Sequence, residues 1–247
     1  MICLKPIRLF LFQALRVLAS NCCDILTGMN RHALAARIAG LAGLLAVSTA
    51  GLAHPHAWID LDVTVQVDNN DRVTGLEQRW VFDPLYSQVL LEVFRRESAG
   101  ASDGERLQAL AERLRDNISE YGYLTYVEQA DRRLGVALAG DVAASVDGHD
   151  QLEFRFALAL EGPVDASETP LRYKVFDPNY FFEMLHHSTD AIHLGGSEDR
   201  CIAAMEEPEP DPVHLARAAA VDIGAASADG LGQHFAETIT VRCRSAE

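Results

Sequence analysis

Between Ala57 and Val67 apolar residues alternate with other residues without a break. Ala57, Ile59, Leu61, Val63, Val65 and Val67 fall on one side, and Trp58, Asp60, Asp62, Thr64 and Gln66 on the other. A period of two marks a strand with one face on a core. Asp68-Asn69-Asn70-Asp71 supplies a turn, and Arg72 to Phe82 returns with Leu76, Trp80 and Phe82 on one side, so this stretch predicts a β-hairpin. The period then changes. Asp83 can cap, and Pro84 open, a helix running through Tyr86, Val89, Leu90 and Phe94. After a Ser/Gly-rich break at residues 98–104, Leu107, Leu110, Ala111, Leu114 and Ile118 recur at the spacing of a second helix.

Strand character resumes after Gly122, at residues 123–127, 134–138, 152–158 and 171–176, with short strands at 191–194 and 201–205. The segment from Tyr180 to His187 fits either a strand or a short helix. A proline-broken acidic loop from Glu206 to Pro212 leads to an alanine-rich helix from Val213 to Ala226, and Thr238–Cys243 closes as a strand. Many strands, an inserted helical pair and a late C-terminal helix predict an α+β fold built on an antiparallel β-sheet or sandwich.

The N-terminal 53 residues stand apart from this pattern. From Met29, basic Arg31, His32 and Arg37 precede ten apolar residues, Ile38–Val47, and a small-residue segment with Gly51 and Ala53 at the −3 and −1 positions of a cut after Ala53. That is the layout of a cleavable secretory signal, and its apolar run is too short to span a bilayer. Residues 1–28 read as an upstream extension, with Met29 the true start. Leu18 and Cys22 are one residue too far apart for a lipid-anchor signal. The expectation is a single periplasmic domain over residues 54–247.

Removing that segment changes the charge. Of 21 Lys and Arg and 36 Asp and Glu, five and one fall within it, leaving 16 basic and 35 acidic residues and a net charge of −19. Such a surface repels phosphate, which excludes nucleic acid and anionic lipid as partners. Two of the five cysteines remain, Cys201 and Cys243. In an oxidising compartment an isolated pair forms a disulfide, and a loop of about 40 residues makes it worth about 4 kcal/mol.

Metal-ligating residue types gather in two places. A cut after Ala53 makes His54 the first residue, with an amine and an imidazole beside His56; on an extended chain His54, His56 and Asp60 share a face. Pro55 has no amide proton, so the amide-ligated copper or nickel mode is closed. An imidazole–carboxylate mode suited to zinc stays open. In the second cluster, Glu183 meets His186 and His187 at helical spacing if the segment is helical; if it is extended, the two histidines face opposite ways. Each histidine set could equally be a group of exposed polar residues with no ligand. His149, His193, His214 and His234 stand singly. G-x-S-x-G, H-E-x-x-H and both phosphate-binding glycine loops are absent, so nothing supports an enzyme of those kinds.

The blocks HPHAWID at 54–60, WVFDPLYS at 80–87, VFDPNYF at 175–181 and FAETITVRC at 235–243 resemble domain of unknown function family 1007 across essentially the whole secreted chain. That resemblance implies a periplasmic, non-enzymatic accessory of a metal transport system working with an inner-membrane metal permease. It makes His54 and His56 the positions matching the family's histidine motif, with zinc, or nickel or copper, as cargo. The alternatives are a copper-binding secreted enzyme built on His54 and a structural or interaction module without metal.

Overall fold

A computed structural model describes residues 55–98, 100–220 and 230–244. The signal segment, the Met29 start, His54 and the end of the predicted late helix lie outside the described residues.

The hairpin forms as its alternation dictates: β1 (Ala57–Val67) pairs antiparallel with β2 (Arg72–Phe82). The odd-numbered apolar residues of β1 from Ala57 to Val65 are buried, and the even-numbered ones face outward. Asp83 caps α1 (Pro84–Glu97), its carboxylate accepting from the backbone N–H groups of Leu85 and Tyr86. Ser102 and Glu105 form a reciprocal capping box that opens α2 (Asp103–Ser119). The two helices bury Phe94, Leu110 and Ala111 in the same core as the sheets.

The remaining strands are β3 (Thr125–Gln129), β4 (Arg132–Leu134), β5 (Val136–Leu138), β6 (Ala143–Val146), β7 (Leu152–Asp165), β8 (Leu171–Val175), β9 (Phe182–His186), β10 (Ile192–His193), β11 (Cys201–Glu206) and β12 (Thr238–Cys243). Between β11 and β12 runs α3 (Pro212–Ala220). One sheet has the order β10-β1-β2-β7-β5, with β6 also on β7 and β9 also on β1; the second runs β11-β12-β8-β3-β4. All pairings are antiparallel except β9 and β10 against β1. The expected run at 134–138 divides between the sheets, Leu134 ending β4 and Val136 starting β5.

One apolar core draws Ile59, Leu61, Trp80 and Phe154 from the first sheet and Val127, Tyr173, Ile239 and Val241 from the second. A buried polar chain crosses it. Trp80 Nε1 donates to Gln78 Oε1 at 2.7 Å, Gln78 Nε2 to Thr125 Oγ1 at 2.7 Å, and Thr125 Oγ1 to the Tyr123 carbonyl at 2.9 Å. Each group in the chain has a partner, so this polar content joins the sheets without an unpaired dipole. Cys201 and Cys243 are direct partners across β11 and β12 and are joined by a disulfide.

Candidate functional site

The segment that fitted either helix or strand is β9, and it lies parallel to β1 with Trp58 opposite Glu183, Ile59 opposite Met184, Asp60 opposite Leu185 and Leu61 opposite His186. Successive residues of a strand face opposite ways, and this register divides the histidine pair. His186 faces the core with Leu61, whereas His187, just past the strand, turns to the solvent-facing side with Asp60.

On that outer side three contacts follow one another along β1. Trp58 Nε1 donates to Glu183 Oε2 at 2.8 Å, and the Tyr180 hydroxyl donates to Glu183 Oε1 at 3.1 Å. His187 Nε2 lies 2.8 Å from Asp60 Oδ2. His193, on β10 where that strand continues the same edge, places its Nε2 3.4 Å from Asp62 Oδ1. The Asp60–His187 pair is open to solvent, with the imidazole side chain 76 % and the carboxylate side chain 41 % exposed. At the strand's start, His56 donates its backbone N–H to the Phe181 carbonyl at 2.9 Å and sets its ring 5.1 Å from that of Phe181.

Asp83 ties this edge to the helices. Its Oδ2 accepts from the Trp58 N–H at 3.1 Å, and its own N–H donates to the Trp58 carbonyl at 3.0 Å. The second Asp-Pro works in the same way on the other side: Asp177 accepts from the backbone N–H groups of Asn179, Phe181 and Phe182 and so shapes the turn that delivers β9. Burial, with the Glu183 charge beside it, pushes the Tyr180 phenol above its ordinary range, so it stays a donor.

His186 cannot join a solvent-facing ligand set with His187. Its ring is buried, its Nδ1 lies 2.7 Å from Glu237 Oε2, and its backbone N–H donates to the same oxygen at 2.7 Å. Of the expected residues, the structure therefore brings Asp60 to His187 and Glu183 to Trp58, and sets His186 apart. Among the described residues no group of three or more His, Cys, Asp or Glu has the placement to hold a metal.

The model of the protein family of unknown function DUF1007 matches residues 39–243. The chain belongs to the DUF1007 family. An uncharacterized protein of Haemophilus influenzae is 26 % identical over 202 residues, which is 81 % of this chain and 95 % of that protein. Among solved structures, that of AChBP from Bulinus truncatus covers 87 % of this chain and 99 % of its own at 9 % identity, with a TM-score of 0.36, too low to argue from.

In this DUF1007 chain the sequence reading missed the Asp62–His193 pair, the Glu237 partner of His186 and a stack of His214 on His234 with ring centroids 3.5 Å apart. Period two had already placed Asp62 on the face of Asp60. What the sequence did not signal was that β9 and β10 would both run parallel along that one edge.

Proposed function

We propose that the protein is a periplasmic accessory that captures a divalent transition metal, zinc first, and passes it to a membrane permease. The observation that carries this reading is the Asp60–His187 pair: a carboxylate on β1 and an imidazole just past β9, 2.8 Å apart and open to solvent. Zinc bound to one nitrogen and one oxygen at about 2.0–2.1 Å with tetrahedral angles sets those atoms about 3.3 Å apart. The pair would open by about 0.5 Å as the metal replaces the shared proton. Two protein donors leave coordination positions for water or for an acceptor's ligands, and such a sparse shell suits handover. The chain's acidic balance favours cations near its surface.

The test is calorimetric titration of zinc into the secreted protein and into its Asp60→Asn, His187→Ala double variant. The expected result is one site per chain, weakened at least tenfold in the variant. Equal affinity in both proteins would refute the site. Zinc-limited growth of a strain carrying the same variant then tests delivery.

A further inference from the structure

On the solvent-facing side of the second sheet lies a cavity of about 350 Å³, lined by Tyr126, Arg133, Arg172, Lys174, Phe176 and Gln233, with Glu128 among the other lining residues. Its size is at the small end of ligand pockets, about 300–1,000 Å³. Tyr126 and Lys174 are direct partners across β3 and β8 and project to the same side. The Tyr126 ring stacks on that of Phe176 at 4.0 Å and 11°, and the Arg133 guanidinium lies over Tyr126, 4.2 Å from the ring centre.

The charge balance of this cavity is opposite to that of the chain. Three cations line it against one carboxylate, Glu128, and that carboxylate is engaged by Arg172 at 3.0 Å. Most of the described arginines elsewhere sit against Asp or Glu. Among the described residues, Arg133 and Lys174 have no carboxylate within 4.0 Å. Two cations without a carboxylate partner, one of them seated on Tyr126, beside the edge of a stacked aromatic pair make a site for an anion with a flat apolar body. A phosphate has no flat body to lay along that stack.

We infer that this cavity binds a small organic carboxylate, its carboxylate between Arg133 and Lys174 and its body along the edge of the Tyr126–Phe176 stack. Charge-assisted hydrogen bonds to the carboxylate oxygens supply the recognition, and the aromatic wall supplies contact area. The site is independent of the metal reading, because Asp60 and His187 belong to the other sheet.

The test follows amide NMR spectra of the isotopically labelled secreted protein during titration with benzoate and, separately, with inorganic phosphate at matched ionic strength. The expected result is saturable shifts around Lys174 and Gln233 with benzoate in the millimolar range or tighter, and at least tenfold weaker binding of phosphate. Lys174→Gln and Arg133→Gln should each weaken benzoate about tenfold while the protein stays folded, with Arg133→Gln lowering the melting temperature by no more than about 4 °C through loss of its contact with Tyr126. Asp60→Asn with His187→Ala should leave benzoate binding as it is. Absence of saturable benzoate shifts, phosphate bound as well as benzoate, or benzoate binding that survives both charge substitutions would each overturn the proposal.

Discussion

Replacing Glu237 by alanine should be among the most damaging single changes in this chain. Its Oε2 accepts from both the backbone N–H and Nδ1 of His186, each at 2.7 Å, and the two residues are only 7 % and 5 % exposed. Truncation leaves two donors in the core without an acceptor. Each buried unpaired donor costs about 1–3 kcal/mol, and breaking a buried His–carboxylate pair costs about 3–5 kcal/mol in total. For a domain of this size, at about 2–4 °C per kcal/mol, a loss of about 4 kcal/mol lowers Tm by about 8–16 °C. Urea unfolding followed by circular dichroism measures it, and the midpoint should fall while the slope stays constant. Glu237→Gln keeps an acceptor and should cost about half as much. Replacing both partners, Glu237→Leu with His186→Leu, should be milder than the alanine change alone, since only the backbone N–H at position 186 is then left without its acceptor. A loss under about 1 kcal/mol for Glu237→Ala would show that the pair carries little of the fold's stability.

Three further outcomes can be measured on the same protein. Reducing the Cys201–Cys243 bond should cost about 4 kcal/mol on the chain-entropy model, read as a lower urea midpoint in dithiothreitol, and an unchanged midpoint would contradict it. Hydrogen bonding from Arg79, with help from Arg155, holds the Glu153 carboxyl below its usual 4.5, so its contribution is complete above pH 4.5 and is lost as pH falls through the lower folded value; Glu153→Gln should flatten the fall of stability with acid in that window, and an unaltered slope would refute the assignment. At Gly75, beside a bulge in β2, a Cβ would come 2.2 Å from the Leu158 carbonyl oxygen of β7, so Gly75→Ala should destabilise by about 1–3 kcal/mol in the same urea assay, and a neutral result would mean that the strands can part.

The period of two made the β1–β2 hairpin legible, and the Asp83 cap and the helical spacing of Leu107 to Ile118 made the two helices legible, because each is written in residues close together in the chain; the Ser102–Glu105 capping box went unread. The buried pair Gln78 and Thr125 was not legible: a glutamine on the inward face reads as a break in the pattern until a hydroxyl 47 residues away is found to receive it. β6 escaped notice because Ala143–Val146 is short and mostly exposed, and its strand state comes from pairing with β7 rather than from its own pattern. The Glu183–His187 segment carried a helical spacing and a strand spacing at once. Pairing with β1 decided between them, and that is a long-range contact no local signal reports.

That decision also determines which histidine can meet a metal. A slip of one residue between β9 and β1 would turn Glu183 and His187 toward the core and Met184 and His186 toward solvent. Hydrophobic burial opposes the slip through Met184, which is nearly fully buried. Glu237 opposes it through geometry, since one oxygen takes both the backbone N–H and the ring nitrogen of the same residue. Glu237 thus has a positional part in the proposed zinc capture although it faces away from Asp60 and His187. Glu237→Ala, assayed well below its lowered melting temperature, should bind zinc more weakly than wild type, while Glu237→Gln should restore most of the affinity. If the alanine variant is natively folded and binds zinc as tightly as wild type, the register is held by apolar packing alone, and the inward histidine is a matter of stability only.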